Sequence, residues 1–381
     1  MEDYGDCTKR QVSDLSGMDV SELFFEIDDP LQEGKCFHLL SDIVMLVLCG
    51  YLADCEGFEE VYDYALDKEP ILRQFLELPF GIPSHDTLNR LFRGLEPTQL
   101  EGLLPQWGKE IVGILKDKQL IVDGKQLRGT LEVGHKQASV QIVRVWAAGQ
   151  RLCLAQVGSK TNELKAIPTL LQRLDMAGSV VTIDAIGCQK TITKLMVEKK
   201  ADYLIGLKAN QDGLYQQVVD WFERVRPTLT RAVSRDLEHG RAEKRVVMVS
   251  EELSLLDAAE GWSGLKSVVC VESSRWLNGK EQQTKRYYIS SLSGCSAATM
   301  AHYIRRHWSI ENQQHWHLDV TFSEDQCQVR KDQAPRNLTT MRKLALGLVS
   351  QEPTKMSLKR KRKKAARDDN YLLKLLSQLH L

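Results

Sequence analysis

The chain has 381 residues, 43% hydrophobic and 27% charged, and its Lys+Arg and Asp+Glu counts balance at 51 each. This composition builds two or three folded domains with real cores and excludes a low-complexity chain. A formal net charge of zero excludes a global field drawing the protein to nucleic acid or lipid, so any such contact rests on local clusters.

The first ten residues are acidic and polar, unlike a secretory signal, and the longest apolar run, 43–49, is too short to span a bilayer. Nine cysteines without a CxxC pair read as reduced, buried thiols. The expectation is a cytoplasmic protein, without membrane association. Residues 1–35 read as a weakly ordered segment. From His38 a helix begins, with Leu39, Ile43, Leu46 and Val47 at helical spacing and Ser41 and Asp42 as caps. Further helices fit Phe58 to Asp67 and Pro70 to Leu76. Gly81-Ile82-Pro83-Ser84-His85-Asp86-Thr87 then leads into a capped helix that exposes Asn89 and Arg90, either a DNA-reading helix or one more packed helix. Residues 36–115 therefore read as a helical domain and a candidate DNA-binding domain.

From Gln119 the periodicity changes. Strands fit Leu120–Asp123, Val140–Ala148 and Leu152–Val157, with a turn at Gly149-Gln150. A helix opens at Thr161-Asn162-Glu163, a strand fits Val180–Asp184, a helix Lys190–Lys199 and a strand Tyr203–Leu207. Three antiparallel strands followed by two β–α crossovers predict an α/β fold with a ribonuclease-H-like mixed sheet, in which the first and fourth strands are neighbours. A helix at 211–226 closes this first part of a catalytic domain, 116–227. Strands at 231–236, 245–250, 265–273 and 286–290 make 228–292 a β-rich insertion. A helix from Ala297 to about Trp316 opens the second catalytic part, 293–350. A basic tail, 351–381, carries the Lys359–Lys364 run and an amphipathic helix at 371–379.

Two of these strands end in a carboxylate followed by glycine: Asp123-Gly124 and Asp184-Ala185-Ile186-Gly187. In the predicted strand order both emerge at one sheet edge. A helix-borne Glu311 would complete a set of three carboxylates, the donor set for hard divalent cations and phosphoryl transfer. The bland alternative makes Asp123 a turn residue and Asp184 a helix cap. Around Glu311 stand Arg305, Arg306, His307, Trp308, His315 and His317, with His307, Trp308 and His315 on its helical face. These cations suit phosphate, and the indole suits base stacking. Zinc held by His307, His315 and His317 is the competing reading. Lys125, Lys208 and Asn210 follow strand ends and Arg241 lies in the insertion, all as candidate DNA contacts. The 359–364 run is a candidate phosphate-binding segment.

The combination Gly81–Thr87, Val122-Asp123-Gly124-Lys125, Asn162-Glu163, Thr182–Lys190, Lys208-Ala209-Asn210-Gln211, His239-Gly240-Arg241, Arg286–Ser291 and His307-Trp308-Ser309-Ile310-Glu311-Asn312 resembles bacterial insertion-sequence DDE transposases, most closely the H-repeat-associated transposase-like proteins of Rhs elements. The resemblance implies Asp123, Asp184 and Glu311 as catalytic triad and metal ligands, two Mg2+ or Mn2+ ions, and cut-and-paste transposition. It implies double-stranded DNA partners (terminal inverted repeats and target DNA), a homodimer on DNA, and a bacterial, nucleoid-associated location. The broader group's Tyr–Arg–Glu–Lys pattern is altered: Tyr303 lies eight residues before Glu311, His307 takes the Arg place and Leu318 the Lys place. Arg305 or Arg306, and His315 or His317, are the substitutes. A catalytically silent DNA-binding protein on the same scaffold is the alternative function, and an enzyme acting on RNA–DNA hybrids a third.

Overall fold

A computed structural model describes residues 27–30, 37–112, 119–127, 140–149, 151–159, 163–225, 229–238, 241–277 and 280–379. Most of the segment expected to be weakly ordered, 1–35, lies outside them. Helices α1 (Leu40–Leu52), α2 (Phe58–Asp67), α3 (Glu69–Leu72), α4 (His85–Gly94) and α5 (Pro97–Val112) form the N-terminal layer. Residues 42–52 of α1 are buried all round, as a central helix requires. The proposed caps of α1 are corrected. Leu39 is its N-cap residue, and Asp42 is buried, its carboxylate accepting from the backbone N–H of Leu78 at 2.8 Å. The helix expected over 70–76 is shorter, ending at Leu72. On α4 the cap reading holds, since Ser84 Oγ accepts from Thr87 N.

Strands β1 (Gln119–Gln126), β2 (Gln141–Ala147) and β3 (Leu152–Ser159) form an antiparallel meander. Helix α6 (Glu163–Gln172) crosses to β4 (Val180–Ile183), and α7 (Lys190–Glu198) crosses to β5 (Asp202–Leu207). β4 pairs parallel with both β1 and β5, which gives the ribonuclease-H-like order β3-β2-β1-β4-β5. Helix α8 (Asp212–Val225) follows. The later strands, β6 (Arg231–Glu238), β7 (Arg241–Ser250), β8 (Ser267–Leu277) and β9 (Lys280–Ser290), are longer than their sequence pattern suggested. They do not form a separate sheet. β9 pairs antiparallel with β5, so a single nine-stranded sheet runs β3-β2-β1-β4-β5-β9-β8-β7-β6.

Helix α9 (Ala297–His307) lies against β4, β6 and β7. Helices α10 (Ala334–Gln351), α11 (Leu358–Ala365) and α12 (Asp369–Leu376) complete the chain. Of these, α10 is buried over almost its whole length between α1, α4, α5 and β3. The basic run is only partly a surface feature. Lys361 and Arg362 are buried, and the Arg362 guanidinium donates to Tyr51 O at 2.7 Å and Cys55 O at 3.1 Å and meets Asp54 at 2.9 Å. Among the described residues Cys49, Cys55, Cys153, Cys188 and Cys270 are buried and Cys295 and Cys327 half-buried, while Cys7 and Cys36 lie outside them. No helix among the described residues is long and apolar enough to cross a membrane.

Candidate active site

Parallel pairing of β1 with β4 sets Val122 opposite Ile183, so the next residues, Asp123 and Asp184, emerge side by side. Neighbouring strands lie about 4.8 Å apart, which fixes this approach through backbone hydrogen bonds rather than side-chain rotamers. Asp184 also caps the 3₁₀ turn Ala185–Gly187, accepting from Ile186 N at 3.1 Å through Oδ1. The cap reading and the site reading therefore coexist, because its second oxygen is not used in that turn.

Beneath the pair, His307 is buried at the end of α9, with Nδ1 3.0 Å from Thr182 Oγ1. Burial lowers its pKa, while the charges of Asp123 and Asp184 pull it back up. His307 also lines the cavity that Asp184 borders. Asp123 lies opposite Arg144 of β2 in the antiparallel register, so both project to one face. Burial alone favours the neutral acid at Asp123, but His315, Arg144 and His307 outweigh it and hold its pKa below the usual carboxylate value. His315 Nε2 stands 2.9 Å from Asp123 Oδ2, yet neither atom makes a well-formed hydrogen bond.

The helix expected to run from Ala297 to Trp316 is not continuous. It turns at Trp308 and proceeds as two π-helical segments, Glu311–His315 and His317–Thr321. Each wider turn adds a residue and rotates the side chains that follow. The expected shared face is thereby corrected: His307 is buried and His315 nearly so, while Trp308 and Glu311 are exposed. Among the described residues no three His, Cys, Asp or Glu side chains converge as metal ligands. The zinc reading fails on the same geometry, since His307 engages Thr182, His315 faces Asp123, and His317 Nδ1 lies 3.1 Å from Thr321 Oγ1. The donor chemistry of the aspartate pair fits a divalent cation: Asp123 Oδ2 is a buried carboxylate oxygen whose contact is His315, and Asp184 at the end of the neighbouring strand has one oxygen outside its cap.

The other candidate residues divide by environment. Lys125 is not an exposed phosphate ligand. Its ammonium is buried among Asp319, Glu324 at 3.0 Å and Asp325 at 3.9 Å, clasping β1 to the stretch after Glu311. Arg305 is exposed but paired with Asp236 of β6 at 3.1 Å. Arg306 is partly buried. Lys208 is exposed at the mouth of a cavity of about 160 Å³ beside Asp184, which Tyr288, His307 and Trp308 also line. Arg286 of β9 stacks over Trp308, 4.9 Å from the ring centroid. Asn210 Nδ2 donates to Ala185 O at 2.8 Å and so anchors the turn behind Asp184. The Arg241 side chain lies outside the described residues, although its backbone opens β7. Asn89 and Arg90 sit on α4, which packs on α2 and α10 away from the strand ends; Arg90 is exposed, and Asn89 Oδ1 is buried without a partner.

Sequence reasoning missed Arg144, Gln314, Glu324 and Lys343, all buried behind Asp123. Arg144 was detectable as a lone cation in an apolar strand pattern, opposite a carboxylate. Glu324 is buried, yet Lys125, Lys343 and Arg144 bring its pKa down to about 2; burial lowers that of Lys343 to about 7. Gln156 Nε2 donates to Thr340 Oγ1 at 2.6 Å, and its Oε1 accepts from Lys343, which extends the polar layer from β3 to α10.

Residues 115–348 match the family described as Transposase DDE domain, and residues 21–108 match its companion, DDE_Tnp_1-associated. The chain is 32% identical over 362 residues to the Escherichia coli K12 protein named "H repeat-associated putative transposase YhhI", covering 92% of this chain and 96% of that one. It is 33% identical over 366 residues to "Putative transposase YncI" of Escherichia coli O157:H7, covering 92% of each. A piggyBac transposase solved in a synaptic complex with hairpin DNA aligns with a TM-score of 0.42 and 11% identity, over 97% of this chain and 80% of that one.

Proposed function

The chain belongs to the transposase DDE domain family, and from that premise we propose that it cuts and joins DNA at transposon ends by metal-assisted phosphoryl transfer. Asp123 and Asp184 hold the divalent cation, with Mg2+ or Mn2+ as the natural choices for an all-oxygen donor set. Bound there, the cation would supply Lewis acidity to the phosphodiester, and a second ion would extend this to the attacking and leaving oxygens. Glu311 completes the set once the π-helical segment carries it inward. His307, hydrogen-bonded to Thr182, sets the floor of the site, and Lys208, Arg286 and Trp308 offer charge and a stacking surface to the strand beside Asp184. Inverted-repeat and target DNA are the substrates, handled by a dimer in a cut-and-paste reaction.

The observation that supports this reading is the register of β1 and β4, which sets Val122 opposite Ile183, the residues just before Asp123 and Asp184. Its test is Mg2+-dependent cleavage of DNA bearing the inverted repeats that flank the coding region, comparing the protein with Asp184→Ala. Cleavage by the wild type alone is the expected result. The exposure of Glu311 favours one other reading, a DNA-binding protein without turnover. Binding by both proteins with cleavage by neither would establish that alternative.

A further inference from the structure

We propose that His315 is a placeholder for the cation: its imidazole fills the position on Asp123 that the ion takes, and the ion enters by displacing it. The inference rests on Asp123 being a metal ligand. A Mg2+ ion binds a carboxylate oxygen at about 2.0–2.1 Å. His315 Nε2 lies 2.9 Å from Asp123 Oδ2, so ring and ion exclude one another at that oxygen. The contact is close but does not reach the geometry of a well-directed hydrogen bond.

The surrounding segment is built to let go. Gln313 Oε1 and His315 Nε2 are buried polar atoms without a well-formed hydrogen bond, the buried Gln314 amide between them has only the Cys153 thiol as a partner, and Arg144 Nε and Nη1 are likewise unmatched behind Asp123. Each such group costs free energy to leave unmatched, so this packing is not the best-satisfied arrangement available to the side chains. All three residues belong to the π-helical turn Glu311–His315, whose extra residue can be redistributed by a small register shift. His315 and Glu311 are ends of that one turn. Withdrawal of the imidazole therefore moves the glutamate, while Lys125 secures the far end of the segment through Asp319 and Glu324. Cation entry and completion of the carboxylate set become one event.

The test is Mn2+ binding without DNA, read as loss of the free-ion electron paramagnetic resonance signal, for wild type, His315→Ala, His315→Asn and Asp123→Ala. Both His315 variants should bind Mn2+ about fivefold tighter than wild type, the gain from removing one competing polar contact. Asp123→Ala should bind far more weakly. Equal or weaker binding by the His315 variants overturns the placeholder while leaving the metal reading intact. Undiminished binding by Asp123→Ala, or none by any protein, overturns both. A second measurement needs no variant: Mg2+ should raise the reactivity of His315 toward diethyl pyrocarbonate in the wild type, read by mass spectrometry. Unchanged or reduced reactivity would overturn the inference, because an imidazole that ligated the ion would be protected.

Discussion

The ends of β1 and β4 and the π-helical stretch after α9 would contribute to the proposed site by opposite physical means. At the strand ends, the backbones leading into Asp123 and Asp184 are fixed by parallel pairing up to Val122 and Ile183. In the π-helical stretch, Glu311 is exposed, His315 leans on Asp123, and several buried polar atoms are poorly matched. The contrast teaches that the sheet supplies the rigid half of the site and the irregular helix its adjustable half. Rigid elements position catalytic groups best, and π-helical turns recur where a side chain must be re-aimed.

The largest way to break the comparison is to empty the rigid half. Asp123→Asn or Asp184→Asn should lower DNA cleavage at least roughly a thousandfold, several kcal/mol of transition-state stabilisation, with a cooperative folded state retained. A cleavage assay beside a melting curve checks both parts, and substantial residual cleavage would remove the strand-end carboxylates from the mechanism. Next comes the clasp between the two halves. Lys125→Met leaves the buried Glu324 and the half-buried Asp319 without their cation, at a cost of about 3 kcal/mol in denaturant unfolding. If Lys125 were a DNA ligand instead, binding would fall and stability would not.

Acid sharpens the same point. The folded-state pKa of Glu324 is about 2, below its ordinary value of 4.5, so its ion pairs stabilise the protein above pH 4.5 and that contribution is lost as pH falls toward 2. The loss is on the order of 3 kcal/mol. Glu324→Gln should flatten that part of the stability–pH curve, and an unchanged slope would contradict the assignment. Trp308→Ala should weaken binding to nicked or single-stranded ends by about 1–2 kcal/mol without altering stability, as measured by fluorescence anisotropy. The smallest effect is expected at the exposed Arg90. Arg90→Ala should reduce the salt dependence of DNA binding by roughly one phosphate contact, and an identical slope would detach α4 from the DNA surface.

The strand half was legible because its signals are short-range and periodic. Leu120–Val122 and Val180–Ile183 are apolar runs that end in a carboxylate, and the order of crossovers predicts their adjacency. The helical half was legible in residue content but not in geometry. Nothing in the spacing of His307, Glu311 and His315 announces π-helical turns, because these arise from tertiary fit and not from propensity. Lys125 misled for a related reason. An exposed lysine and a clasped one look alike until Asp319 and Glu324, almost two hundred residues later, fold back beside it. The 359–364 run mixes both kinds: Arg362 is a buried staple, whereas Lys363 and Lys364 face solvent.

The pairing of β9 onto β5 has a consequence for anyone seeking a minimal catalytic fragment. Excising residues 228–292 would strip β5 of its neighbour and bare a row of unsatisfied amides in the middle of the molecule. Such a margin recruits strands from other chains. The trimmed protein should therefore precipitate or self-associate rather than survive as a smaller nuclease core, and the inserted hairpins act as a built-in seal for the sheet they extend.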